Sequence, residues 1–280
     1  MGELMVMPKY RFRRPRNRKY NLSMHHALSH TRRFNLMRFV LCWMALWAST
    51  GHAADVHVAV AANFSAPMKR IAEEFEKETG HQTVLSFGST GKLYAQITNG
   101  APFDVFLSAD NQTPVKLEKE GSAVAGSRLT YATGRLVLWS AKPGLVDDKA
   151  AVLMRNDFKR LAIAAPKLAP YGAAATQALT QIGMLPLLQS KLVTGDSIGQ
   201  AYSMVATGNA ELGFVAMSQV FGDGKLKSGS AWVVPANLHS PLKQDAVLLV
   251  RGKNNQAAQQ LLVFLKLGQA RAIMNSFGYE

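Results

Sequence analysis

From residue 56 onward, apolar runs of strand length alternate with segments in which apolar side chains recur every three to four residues. This is the signature of an α/β protein. Val56 to Ala61 reads as a buried strand. Ser65 to Thr79 reads as a helix, with Met68, Ile71, Ala72 and Phe75 on one stripe, Glu73, Glu74, Glu76 and Lys77 facing water, Pro67 in the first turn and Gly80 ending it. The same pattern predicts a helix over Thr90 to Asn99, a strand over Asp104 to Ser108 and a short helix over Asn111 to Lys119. Arg128 to Gly134 reads as a polar, turn-rich crossing into a second domain.

That second domain opens with strand Leu136 to Trp139. It continues with strand Leu161 to Ala164, a loop through Pro170-Tyr171-Gly172, a helix from Ala173 to Ile182, strand Leu192 to Thr194, a helix from Ile198 to Ala206 and strand Leu212 to Val215. The chain returns near Trp232 to Pro235 and finishes with a strand over Ala246 to Val250 and helices within 255–277. The expected lobes are residues 55–133 with 238–280, and residues 134–237. Two crossings between them make a hinge with a cleft, where small ligands prefer to bind.

Four strand-to-helix junctions would meet at that cleft: Ala62-Asn63 with Ser65, Ser89-Thr90, Pro170-Tyr171-Gly172, and Ser197-Ile198-Gly199. The first turn of a helix carries N–H groups without intrahelical partners and partial positive charge, so junctions aimed at one point can hold a compact anion. None of these positions supplies a charged side chain. Taken singly, Asn63, Ser65, Ser89, Thr90 and Ser197 are ordinary helix caps; their joint placement favours a ligand. Donors without an acceptor favour a fully ionised oxyanion over one that keeps its proton.

Catalytic and metal motifs are sparse. His57, His81 and His239 have no zinc spacing, no Gly-x-Ser-x-Gly elbow occurs, and Gly88-Ser89-Thr90-Gly91-Lys92 lacks a Ser or Thr after the lysine. Asp104 and Asp110 read as ion-pairing or capping residues. These readings point to a protein that is not an enzyme and needs no cofactor.

The net charge of +14 suggests nucleic acid until its distribution is considered. Residues 1–53 hold ten of the 32 Lys and Arg and one of the 18 acids, leaving 22 bases against 17 acids in the rest. The body is mildly basic, and no nucleic-acid partner is expected. Phe39 to Trp47 is a short apolar run behind Arg32, Arg33 and Arg38, and Gly51-His52-Ala53 follows with small residues at the recognition positions. Residues 1–53 therefore read as a leader with a signal peptide cut after Ala53, which predicts a periplasmic product. Residues 1–23 are unusually basic for such a signal; Met24 or Met37 would be a more conventional start, and the expectation is a mis-set translation start. The single cysteine, Cys42, falls within the signal.

Val58-Ala59-Val60-Ala61-Ala62-Asn63-Phe64, Gly88-Ser89-Thr90-Gly91, the stretch from Gln96 to Asp110 with Gly100-Ala101-Pro102-Phe103-Asp104-Val105-Phe106-Leu107-Ser108-Ala109-Asp110, Ala169-Pro170-Tyr171-Gly172 and Leu212-Gly213-Phe214-Val215 together resemble the periplasmic molybdate-binding proteins of ABC transporters. The likeness extends over residues 55–280. It implies a two-lobed, type II periplasmic-binding-protein fold closing on tetrahedral molybdate or tungstate, a monomer that passes its cargo to an inner-membrane ABC permease. By motif position, the resemblance implies contacts from Asn63 (side chain and N–H, with Ala62 adjacent), from Thr90 (hydroxyl and N–H) beside Ser89, and from the N–H groups of Tyr171 and Ile198; molybdenum would be held only as its oxyanion. Some members carry serine in place of Asn63 and a tyrosine in place of Ala216. The chain resembles the subgroup with Asn in the first loop, which implies no ligand role for Ala216. Sulfate, phosphate or a small carboxylate are the alternative ligands, and an absent arginine argues against the carboxylate.

Overall fold

The computed structural model describes residues 54–280. The leader, its cleavage point after Ala53, Met24, Met37 and Cys42 lie outside the described residues. No helix among the described residues is long and apolar enough to cross a membrane.

The elements run β1 (Asp55–Ala61), a 3-10 turn (Ala62–Phe64), α1 (Ser65–Thr79), β2 (Gln82–Gly88), α2 (Thr90–Thr98), β3 (Val105–Leu107), α3 (Gln112–Lys119), β4 (Leu129–Gly134), β5 (Leu136–Ser140), α4 (Ala151–Arg155), β6 (Leu161–Ala164), α5 (Pro170–Gln181), α6 (Leu185–Leu188), β7 (Leu192–Gly195), α7 (Ile198–Ala206), β8 (Leu212–Ala216), α8 (Met217–Val220), β9 (Phe221–Gly222), β10 (Lys225–Leu226), β11 (Ser230–Val233), β12 (Leu242–Leu248), α9 (Gln256–Phe264) and α10 (Gly268–Ser276). They form two five-stranded mixed sheets, ordered β2-β1-β3-β12-β4 and β11-β5-β8-β6-β7. The chain passes between the sheets twice, through Arg135 and through residues 234–241. The protein is α/β, as the alternation of patterns predicts.

Both faces of the first sheet are covered, which is why its middle strand, β3, is wholly apolar. Side chains of β1 alternate between them. Val56, Val58 and Val60 pack with Phe64, Met68, Ile71 and Phe75, while Ala59 packs with Leu93, Ile97, Phe106 and Leu117. The second sheet has its own core around Leu136, Leu138, Ile163, Leu179 and Phe214.

Three local expectations are corrected. Arg128–Gly134 is not a crossing loop, because Leu129–Gly134 is an edge strand paired antiparallel with β12. Its polar residues serve the fully buried Asp245, which accepts from Arg128 Nη1 at 2.6 Å and Thr130 Oγ1 at 2.7 Å. The last strand is Leu242–Leu248, not Ala246–Val250: buried Gln244 and Asp245, with an irregular register between them, hide its first half from a hydrophobic pattern. Helix α5 starts at Pro170, three residues before the expected Ala173, since proline lacks only an N–H that the first turn would leave unbonded.

The Asp245 pair yields a stability prediction. Arg128→Ala strands a buried carboxylate and is expected to cost about 2–3 kcal/mol, less than for a wholly buried pair because the arginine is partly exposed. The midpoint of urea denaturation measures it, and an unchanged midpoint would show that Thr130 and water suffice for Asp245.

Candidate functional site

Strands β1, β2, β6 and β7 run parallel to their neighbours, β1 with β2 and β6 with β7. Each delivers the chain from its C-terminal end into a helix. Ligands of open α/β sheets collect at that edge because first-turn N–H groups point there. Two such junctions come from each sheet.

β1 ends at Ala61 and turns through Ala62 and Asn63 into α1. Asn63 is 2% exposed. Its main-chain oxygen accepts from Ser218 Oγ at 2.7 Å and Tyr279 OH at 2.9 Å, which pins the turn from both halves of the molecule. Its side-chain Nδ2 donates to Gln244 Oε1 at 2.7 Å and Tyr279 OH at 3.0 Å, while Oδ1 is buried without a partner. At the end of β2, Ser89 holds the N-cap position of α2 in extended backbone, yet its hydroxyl makes no capping bond and is buried without a partner. Thr90 follows, its Oγ1 accepting from Ala109 N at 3.1 Å.

From the second sheet, α5 places Tyr171 in its first turn behind Pro170. The Tyr171 ring runs back into the core, where its hydroxyl accepts from Gln244 Nε2 at 3.1 Å. Ile198 opens α7, whose cap is Ser197, accepting from Gln200 N at 3.3 Å. Ser197 is thus an ordinary cap. Ser65 turns back onto the Ala62 carbonyl at 2.8 Å.

The structure brings Ala62, Asn63, Ser89, Thr90, Tyr171 and Ile198 to one small cavity of about 10 Å³. Its remaining lining is alanine, glycine and proline, so no charged side chain reaches it. Ala216 is buried elsewhere, its N–H donating to Gln219 Oε1 at 2.9 Å. Among the described residues, no group of three His, Cys, Asp or Glu could hold a bare metal ion. Asp104 accepts from His57 N at 2.9 Å and pairs with Arg251, and Asp110 accepts from Thr113 N at 2.8 Å.

Buried polar atoms without partners are rare and costly. Two of them, Ser89 Oγ and Asn63 Oδ1, belong to residues lining this cavity. Contacts between the two halves lie beside it. Gly91 N donates to Leu168 O at 2.9 Å, and Lys92 Nζ meets Asp196 Oδ2 at 2.5 Å. Both partners of that ion pair are about half exposed, so it contributes little.

Sequence reasoning missed the residues behind Asn63: Tyr131, Ser218, Gln244 and Tyr279. Burial raises the Tyr131 and Tyr171 hydroxyls well above the ordinary phenol range and pushes Tyr279 up to about 12, so all three keep their protons at neutral pH. A glutamine amid strand residues and a tyrosine next to the last residue were the available signals, and neither has a local pattern.

Two α/β halves meeting over a small, uncharged cavity rimmed by helix N-termini define a solute receptor. A family described as bacterial extracellular solute-binding protein matches residues 56–280. The molybdate-binding protein ModA of Azotobacter vinelandii is 60% identical over 247 residues, covering 88% of this chain and 98% of its own. That of Rhodobacter capsulatus is 53% identical over 227 residues, covering 81% and 88%. The solved structure of the Azotobacter vinelandii periplasmic molybdate-binding protein matches with a TM-score of 0.78 at 46% identity, over 80% of this chain and 98% of that one. The chain therefore belongs to the bacterial extracellular solute-binding proteins, in the family of the molybdate-binding proteins ModA. It is a binding protein, not an enzyme.

Proposed function

We propose that this chain captures molybdate, and with it tungstate, in the periplasm as a monomer and hands the ion to an inner-membrane ABC permease. The observation that carries this reading is the small cavity where Asn63, Ser89, Thr90, Tyr171 and Ile198 converge with no charged side chain. Donors would come from the N–H groups of Asn63, Thr90, Tyr171 and Ile198, the Asn63 side chain and the hydroxyls of Ser89 and Thr90, with Ala62 shaping the first turn. Lobe 1 (55–133 and 238–280) would bring the first two junctions and lobe 2 (134–237) the others, so that the ion itself joins the lobes. Residues 1–53 would act as the export leader. The similarity to molybdate-binding relatives supports the choice of oxyanion.

Size would separate molybdate from sulfate. Both are tetrahedral dianions, but N–H groups spaced for the larger ion would be left with stretched bonds around the smaller, at about 1–3 kcal/mol for each unmet buried donor. Calorimetric titration of residues 54–280 is expected to give tight binding of molybdate and tungstate and far weaker binding of sulfate and phosphate. A preference for sulfate or phosphate would overturn the assignment.

A further inference from the structure

Asn63 lines the cavity, and the edge of its amide left without a partner is the wrong one for an anion. Its Nδ2 is held by Gln244 Oε1 and Tyr279 OH, and its unpartnered atom is Oδ1, an acceptor. A carbonyl oxygen against an oxyanion repels it. Turning the Asn63 amide alone does not help, because Oδ1 would then lie 2.7 Å from Gln244 Oε1, acceptor against acceptor. Asn63 is therefore free to present a donor only if Gln244 turns as well.

A half-turn of both amides satisfies the network on the same heavy-atom frame. Gln244 Nε2 then donates to Asn63 Oδ1 and to Tyr131 OH, which lies 3.0 Å from the atom it replaces. Tyr131 keeps its proton for Ser108 O at 2.8 Å. Gln244 Oε1 then accepts from Tyr171 OH across the 3.1 Å contact. Tyr279 OH gives its proton to Asn63 Oδ1, and Ser218 Oγ alone serves the Asn63 carbonyl at 2.7 Å. Every hydroxyl proton has an acceptor, and Asn63 Nδ2 is released to the cavity. Before the turn, Tyr131 has two acceptors for one proton.

We infer that Gln244 is a positioning residue for oxyanion capture: it turns in step with Asn63, so that the donor edge of Asn63 meets the anion while Tyr171, on the other half, is gripped as a donor and no longer as an acceptor. The inference rests on the oxyanion reading given above. Gln244 is fully buried and suited to this role because β4 passes it at Gly134, where a Cβ would fall 2.4 Å from Gln244 Nε2 and overlap the Tyr171 hydroxyl. The same strand end leads through Arg135 into the second sheet. The amide pair thus sits where the two halves join, and its orientation registers what is in the cavity.

Two measurements on the 54–280 protein test it. In the molybdate-saturated parent, nuclear Overhauser contacts of the Gln244 side-chain amide protons are expected to the Tyr131 ring; contacts to the Tyr171 ring in their place would overturn the inference. Gln244→Met is expected to bind molybdate about tenfold more weakly, the scale of one buried hydrogen bond, and to cost nothing further when added to Asn63→Ala, since it acts through that side chain. Unchanged affinity in Gln244→Met, or losses that simply add in the double variant, would sink it. Failure of the parent itself to bind molybdate would instead remove the functional reading on which this rests.

Discussion

Asn63→Asp is expected to weaken molybdate binding by at least about a thousandfold while leaving the protein folded. The substitution exchanges one amide for an isosteric carboxylate, so the turn into α1 is preserved. The buried acid also has partners. Gln244 can present Nε2 and Tyr279 its hydroxyl to the carboxylate, over the contacts that now measure 2.7 and 3.0 Å. What changes is the field in the cavity. Two unit charges about 4 Å apart repel by about 4 kcal/mol at an effective dielectric of about 20, and a dianion doubles the term. Each 1.4 kcal/mol is a factor of ten in affinity, so half of this repulsion alone amounts to about a thousandfold. Calorimetry gives the affinity and thermal unfolding shows whether the fold is kept. Binding within tenfold of the parent would mean that Asn63 does not face the ion.

The contrast between what the sequence revealed and what it hid follows from distance along the chain. Helix α1 and helix α7 were legible because their apolar stripes, Met68-Ile71-Phe75 and Ile198-Ala201-Val205, repeat within one element and are buried as that spacing requires. The candidate site was legible for a related reason: each junction is a local strand-to-helix motif, and parallel strands place all such junctions on one edge. Strand β4 and the first half of β12 were hidden because their polar residues satisfy each other. Arg128 and Thr130 look like loop residues until Asp245, more than a hundred residues away, is seen buried beneath them. The support behind Asn63 is more remote still, with Gln244 181 residues along and Tyr279 216. Buried polar networks have no periodicity, and only the fold assembles them. The displaced start of α5 has a simpler cause, since a Pro-Tyr-Gly tripeptide suits both a loop and a first helical turn. Here the helical alternative places Tyr171 N–H among the unbonded donors of that turn.

Gly172→Ala should be strongly damaging, although it adds a single methyl. Gly172 lies in the first turn of α5, directly after Tyr171, and its N–H bonds to Ala169 O at 2.9 Å. A Cβ there would fall 2.1 Å from the carbonyl oxygen of Ala164 and 2.7 Å from its carbon. Both are backbone atoms at the end of β6, a strand paired on one side with β7 and on the other with β8. No side chain can swing away to make room, so either the strand end or the helix must shift. Overpacking of well-ordered cores typically costs about 1–3 kcal/mol, and a clash with paired backbone belongs at or above the top of that range. Moving α5 also withdraws the Tyr171 N–H and its hydroxyl's contact with Gln244, so affinity should fall together with stability. Gly268→Ala provides the control, because nothing lies within 4 Å of a Cβ at the start of α10; it should stay within about 0.5 kcal/mol of the parent. Thermal unfolding with and without molybdate reads both effects. Equal melting temperatures for the two variants would show that the approach of α5 to β6 is looser than the 2.1 Å separation indicates.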